Sequence, residues 1–183
     1  METFQQRKQD VLSKEDKSSI GEWDKRILDL CDKINSSENY YTTSSCSGRI
    51  LIIKDEDKKI NGLFEFVSHD FVIFDNFLER VKKIRGNCKF KQEPPLIHIV
   101  CDTLPNAEIL LRKAQEVGFK RSGIISLGRN IVLEILSTEK LEFPLMLNGR
   151  LIVDEAFLKI VLEKANDNLK KGFEKIGRLN YIL

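Results

Sequence analysis

Residues Thr42-Thr43-Ser44-Ser45-Cys46-Ser47-Gly48-Arg49 set six small hydroxyl or thiol side chains before a glycine and an arginine, and the apolar run Ile50-Leu51-Ile52-Ile53 follows at once. Small side chains leave backbone N–H groups accessible, glycine admits close approach to the main chain, and arginine offers a forked cation. Such a stretch suits a carboxylate, a phosphate or a ribose. The same residues also suit an ordinary Ser/Gly turn leading into the core. Other polar residues of chemical interest stand at the ends of or within apolar runs: His69-Asp70, Glu93-Pro94 and His98. A His-Asp pair closing a strand is commonly a turn with a hydrogen-bonded ring. His98, inside Leu96-Ile97-His98-Ile99-Val100-Cys101, is expected to point with Leu96 and Val100 towards an apolar face. By residue type alone it is a satisfied core histidine. A Cys46 nucleophile with either imidazole as base is the lesser reading, because it requires a contact of about 3 Å and an oxyanion hole.

Several chemistries have no signature here. No G-x-G-x-x-G follows a strand and no Walker loop is present, so neither a Rossmann nor a P-loop nucleotide site is signalled. Two histidines and no E-x-x-H pair give no reason to expect a catalytic metal. The four cysteines, Cys31, Cys46, Cys88 and Cys101, form no C-x-x-C pair, which fits a reduced, cytoplasmic compartment and no zinc site. No apolar run approaches the roughly 20 residues of a membrane span, and the polar N-terminus has no signal-peptide core. A net charge of +2 exerts no global pull on nucleic acid. RNA binding would fall to local clusters: Lys82-Lys83-Arg85 with Lys89 and Lys91, and Arg112-Lys113 with Lys120-Arg121. Each cluster reads equally as a solvated face.

At 183 residues, 42% of them hydrophobic and 32% charged, the chain suits one soluble globular domain over 1–183. Thr3 to about Lys17 reads as a partly exposed helix, broken by Ser18-Ser19-Ile20-Gly21, and Trp23, Ile27, Leu28, Cys31 and Ile34 form the apolar stripe of a second. Ile50 to Ile53 wants cover on both faces and is expected to be an internal strand, paired through the Asn61-Gly62 turn with Leu63 to Ser68, beside Arg49. An amphipathic helix is expected over Phe71 to Ile84, and a strand over Cys88 to Gln92 is interrupted by Glu93-Pro94-Pro95. After Leu96–Cys101, Asp102 or Thr103 caps a helix with Pro105 in its first turn and Gly118 at its left-handed end. A hairpin through Gly128-Arg129-Asn130, an extended Leu141 to Leu147, a tight Asn148-Gly149 turn and a long helix capped by Asp154 complete the chain. Hairpins this frequent predict an α+β fold whose mixed or largely antiparallel sheet is covered by helices.

Ser44-Ser45-Cys46-Ser47-Gly48-Arg49-Ile50 resembles the signature of the wybutosine-synthesizing methyltransferase family, which acts on phenylalanine tRNA. Ser68-His69-Asp70, Glu93-Pro94 with His98, and Gly118-Phe119 with Ser122-Gly123-Ile124 resemble its other motifs in the same order, and Gly21 and Asp24 match family positions. The resemblance implies transfer of a methyl group from S-adenosylmethionine to the N4 ring nitrogen of a tricyclic base beside the anticodon, after its amino-carboxypropyl tail has been attached. It implies an architecture unlike the Rossmann-type methyltransferases, and a cofactor cradle at Ser45, Ser47, Gly48 and Arg49. His69, at a strand end, becomes the first candidate for the nitrogen's proton and His98 the second. Asp70, Glu93, Pro94, Lys82 and Lys89 become candidates for contact with the anticodon loop of tRNA-Phe. Gly48-Arg49, His69-Asp70, Glu93-Pro94 and His98 would meet at one mouth of the sheet. A non-catalytic RNA-binding or adaptor protein is the alternative, although the basic clusters lack the interleaved aromatics of a stacking platform.

Overall fold

The computed structural model describes residues 3–14, 24–56 and 62–183. The expected break at Ser18 to Gly21, the anchor Trp23 and residues Asp57 to Asn61 of the expected turn lie outside the described residues. In chain order the elements are α1 (Phe4–Leu12), α2 (Leu28–Ser36), β1 (Tyr40–Cys46), β2 (Arg49–Lys54), β3 (Phe64–Ser68), α3 (Phe74–Lys83), β4 (Cys88–Glu93) and β5 (Leu96–Cys101). They continue with α4 (Leu104–Glu116), β6 (Gly123–Leu127), β7 (Ile131–Leu136), β8 (Leu141–Leu147), β9 (Arg150–Leu151) and α5 (Glu155–Ile182). Every strand pairing among the described residues is antiparallel, so the fold is α+β and not doubly wound. No helix among them is long and apolar enough to cross a membrane.

The strands make two sheets, ordered β1-β5-β7-β6 and β3-β2-β4-β8-β9. Two breaks in the sequence account for the division. Ser47-Gly48 separates β1 from β2, with Gly48 at φ +102°, and Pro94-Pro95 separates β4 from β5. A left-handed glycine and a pair of residues without N–H donors each end one ladder and let the next strand join another. The chain accordingly groups into two compact units. One comprises Met1–Ser47, Pro95–Thr138 and Gly172–Leu183, and the other Gly48–Pro94 and Glu139–Lys171.

In the first unit, Ile97, Ile99, Leu133 and Ile135 on one sheet face pack with Leu30 and Ile34 of α2 and Ala107, Leu110 and Ala114 of α4. The helix signals of α4 act as their types require. Thr103 Oγ1 accepts from Asn106 N–H, Gly118 adopts φ +110°, and Phe119 N–H reaches back to the Ala114 carbonyl at 3.0 Å, which fixes Phe119 in the core. α1 stops at Leu12, short of the expected Lys17, and starts with a Thr3/Gln6 capping box. The hydroxyl-rich run, expected as a loop at the mouth of a sheet, is itself the edge strand β1. Threonine and tyrosine favour extended backbone, an edge tolerates polar side chains, and Asn35 of α2 binds the Thr42 N–H at 2.8 Å.

In the second unit β2 is internal, with Ile50, Leu51 and Ile52 fully buried. Phe66, Phe77, Phe90, Phe143 and Phe157 form a continuous series of ring contacts with centroid spacings of 5.0–6.0 Å. α3 begins at Phe74 rather than Phe71, because Asn166 of α5 binds both the N–H and the carbonyl of Val72, each at 2.9 Å, and Ile73 is extended. Asp154 caps α5 by accepting from Phe157 N–H at 2.7 Å.

All four cysteines are free thiols, and burial pushes Cys31 and Cys88 up and Cys101 to about 12. Cys46 is only half-buried. A thiol-alkylating reagent at neutral pH should therefore modify Cys46 in the native chain and spare the other three until unfolding. Peptide mass mapping reads the order, and native labelling of Cys101 at the rate of Cys46 would contradict the burial.

Candidate functional site

The two residues that begin and end β2 and β4 set the first polar cluster, in the second unit. Arg49 and Glu93 are cross-strand partners, with Nε donating to Oε2 at 2.7 Å. Their side chains are 27% and 34% exposed, and the guanidinium carbon lies 5.6 Å from the Phe64 ring centroid. Ile50 pairs with Ser68, so Arg49 and His69 come next in the β2–β3 register. His69 Nδ1 lies 3.1 Å from the Gly48 carbonyl. A carbonyl only accepts, so Nδ1 carries the hydrogen and the neutral ring has its lone pair on Nε2. Asp70 is exposed on a tight turn in which its N–H donates to Ser68 Oγ at 3.1 Å. Gly48, Arg49, His69, Glu93 and Pro94 thus share one end of one sheet.

Gly48 serves packing there. A Cβ would meet the Glu93 carbonyl oxygen at 3.1 Å, Leu169 Cδ2 at 3.3 Å and the Pro94 carbonyl carbon at 3.4 Å. The close approach expected for a ligand is made by the chain's own Glu93-Pro94 backbone. Gly48→Ala should lower stability by more than about 1 kcal/mol, combining left-handed strain with crowding. Gly86→Ala, also left-handed at φ +92° but with nothing within 4 Å, should cost less in the same urea titration. Equal costs would remove the crowding argument.

The first unit holds the rest. Ser47 is fully buried, and both its N–H and its hydroxyl donate to the Asp24 carboxylate, the hydroxyl at 2.8 Å. Ser47 is therefore a fastening for the segment, and its donors do not face a ligand as the sequence reading expected. Ser45 is exposed. His98 departs from expectation twice. It lies in the other sheet from Arg49 and His69, because Pro94-Pro95 ends β4 before β5 begins, so a single sheet mouth does not gather all these residues. It also occupies a polar face, 30% exposed, with Nδ1 2.9 Å from Ser44 Oγ and Nε2 2.9 Å from Glu134 Oε2. Ile97 and Ile99 take the core face, and alternation sends His98 to the opposite one. Glu134 escaped the sequence reading. Its signal was a lone carboxylate within Ile131-Val132-Leu133-Glu134-Ile135-Leu136. Asp24's role as the clamp on Ser47 had no local signal at all.

Of the basic candidates, Lys82 at the end of α3 pairs with Glu155 at 3.0 Å and is 61% exposed, and Lys89 on β4 pairs with Asp55 at 2.6 Å. Exposed pairs of this kind are weak and exchange readily for other anions. Lys91 of β4 and Lys140, just before β8, both bind Glu142 at 2.9 Å, and those hydrogen bonds hold its carboxyl below the usual range.

Comparison with known proteins gives a consistent relationship. A family model described as methyltransferase TYW3 matches residues 6–183. An Archaeoglobus fulgidus protein named tRNA(Phe) 7-((3-amino-3-carboxypropyl)-4-demethylwyosine(37)-N(4))-methyltransferase is 40% identical over 159 residues, covering 86% of this chain and 81% of its own. A Bos taurus protein named tRNA wybutosine-synthesizing protein 3 homolog is 33% identical, over 98% of this chain and 72% of its own. The solved structure of a Pyrococcus horikoshii protein superposes with a TM-score of 0.86 at 36% identity, covering 98% of this chain and 93% of that one. A match that runs through both sheets and the cluster at Gly48, Arg49, His69 and Glu93 extends beyond a shared motif, and the chain belongs to the TYW3 methyltransferase family.

Proposed function

We propose that this chain methylates the N4 ring nitrogen of the 7-(3-amino-3-carboxypropyl)-4-demethylwyosine-type base beside the anticodon of tRNA(Phe), with S-adenosylmethionine as methyl donor. The reading is carried by the family match over residues 6–183, together with relatives named for that reaction. The donor set at the end of β2 fits the amino-acid end of such a cofactor. A paired guanidinium and carboxylate, Arg49 and Glu93, both partly exposed, offer complementary charges to an α-carboxylate and an α-ammonium. In this reading Arg49 and Glu93 make the contacts, while Gly48 holds the start of β2 in shape. When bound, the cofactor supplies an electrophilic methyl group on a sulfonium that leaves without acid assistance. The protein's share is then orientation, exclusion of water and an acceptor for the proton on N4. Imidazole is the side chain suited to that exchange near neutrality, which directs attention to His69 and His98. The base sits in a single-stranded loop, where it is reached without opening a duplex. Asp70, Pro94, Lys82 and Lys89 are the residues proposed to meet that loop.

The direct test incubates the full chain with tRNA(Phe) carrying the tailed, 4-demethyl base and methyl-labelled S-adenosylmethionine, and follows the nucleoside by mass. One added methyl group on the tricyclic base is expected. Binding of the tRNA without methylation would favour the adaptor reading. Calorimetric titration with S-adenosylmethionine should show that Arg49→Ala weakens binding by about 1.5–3 kcal/mol through loss of a charge-assisted hydrogen bond. Unchanged affinity in the folded variant removes Arg49 from the cofactor site. Lys82→Ala and Lys89→Ala should weaken tRNA binding and flatten its salt dependence, leaving cofactor affinity intact. A full salt slope in both variants would take these lysines out of the RNA contact.

A further inference from the structure

The two faces of the second sheet carry different residues. Phe77 of α3 contacts Phe66 and Phe90, and Phe157 of α5 contacts Phe143, so the helices cover the face on which these rings stand. Alternation sends their neighbours to the opposite, polar face. There Leu51, Lys91 and Glu142 are cross-strand partners in one row, Ile53, Lys89 and Pro144 in the next, and Arg49 stands opposite Glu93 at the end of the strands. Phe64 joins this face through a bulge. Ile52 pairs with Phe66, and regular alternation would set Glu65 opposite Ile53. The register shift sets Phe64 there instead, on the side away from Phe66. The contact of its ring with the Arg49 guanidinium marks the same placement, and 38% of Phe64 stays exposed.

Along the chain no aromatic shares a face with these cations, because Phe90, between Lys89 and Lys91, points to the helices. Folding supplies one. The polar face carries an exposed phenyl ring beside Arg49, the exposed Pro144 ring, and the ammonium groups of Lys89, Lys91 and Lys140. Lys91 and Lys140 share one carboxylate, Glu142, which their hydrogen bonds keep ionised at neutral pH, so the three hold an excess of one positive charge. An ammonium has three donors, so each lysine can hold Glu142 and a further anionic oxygen together. A flat face joining an aromatic platform to cations is suited to single-stranded RNA, whose bases stack while its phosphates pair with the lysines. A duplex keeps its bases from such a ring.

We propose that the single-stranded anticodon loop of tRNA(Phe) lies along this polar face, with one base stacked on Phe64 and flanking phosphates held by Lys91 and Lys140. The inference rests on the methylation read above and adds the surface that carries the RNA. A loop held in the rows of Phe64 and Lys91 runs on to Arg49 and Glu93 at the end of the same strands, the residues read as cofactor contacts. The anchored nucleotides are then neighbours of the reacting one. Glu142 is an internal competitor that a phosphate partly displaces. This placement narrows the contact proposed for Lys82: carried by α3 on the helix side of the sheet, it meets the tRNA outside the loop.

Fluorescence anisotropy of the full chain with the anticodon arm of tRNA(Phe), and with the same stem as an unbroken duplex, tests the placement. Phe64→Leu should weaken binding of the arm by about tenfold through loss of stacking, and Phe64→Tyr should keep it, with the duplex unaffected in both. Lys91→Ala should lower the slope of log affinity against log salt by about 0.7, one contact to a single strand. Lys159→Ala, an exposed cation of α5, should leave that slope unchanged. Glu142→Gln should tighten binding several-fold by removing the competing carboxylate. Glu163→Gln makes the same change of net charge at an exposed position of α5 and should not. Equal effects within either pair of variants overturn the placement, as does wild-type affinity in a folded Phe64→Leu. If Phe64→Leu and Glu142→Gln alter self-association in sedimentation velocity while RNA binding stays at wild type, the face joins two copies of the chain and the proposal fails. A wild-type chain that methylates the tailed tRNA while these variants bind it normally loses this surface alone. One that neither binds the arm nor transfers a methyl group loses the functional reading with it.

Discussion

The backbone at Gly48 is the constraint on which the remaining arrangement depends. Its left-handed conformation turns the chain out of β1 and into β2, and the Glu93 carbonyl and Leu169 fill the space where a side chain would stand. Turned this way, Gly48 presents its carbonyl to His69, and Arg49 opens a strand directly opposite Glu93. Just before it, Ser47 is fastened by Asp24 through both of its donors. Neighbouring residues are thus secured by different partners in different units. A run that reads as one continuous segment belongs to two sheets.

In each unit, polar and charged side chains are paired within the protein. Arg49 has Glu93, Glu142 has Lys91 and Lys140, and His98 has Ser44 and Glu134. At partial exposure such pairs contribute little to stability, and the burial of Phe77, Phe90 and β2 does far more. What the pairs do is orient their members: Glu93 fixes the Arg49 guanidinium, and Ser44 and Glu134 fix the His98 ring. Side-chain amides add directed bonds. Asn168 donates to Gln92 Oε1 at 2.8 Å, Gln92 donates to the Glu139 carbonyl, and Asn166 binds both polar groups of Val72. α5 therefore fixes β4 and the stretch after Asp70 by directed bonds as well as by apolar contact.

Much of this could be read along the chain. The caps of α4 and α5, the left-handed glycine after α4, the internal β2, the β2–β3 hairpin and the antiparallel α+β class follow from residue types whose effects act over a few positions. The motif Ser44 to Ile50 pointed to the right family for the same reason, since a specific run survives as a run. Arg49 and His69 could be set side by side because a hairpin register is a local property once its strands are known.

What the tertiary structure alone decided concerns partners far apart in sequence. Asp24 and Ser47, Asn166 and Val72, and His98 and Glu134 are joined by folding, and no periodicity announces them. The serine-rich run became an edge strand because a sheet offered β5 to pair with it, and a one-residue bulge chose Ser44 over Thr43. His98 acquired a polar face because alternation assigns a residue to a side without stating what covers that side. Local sequence sets backbone preference and parity. The identity of the neighbour across a strand, and so the chemistry of Arg49, His69 and His98, is set by which distant segments the two sheets bring into register.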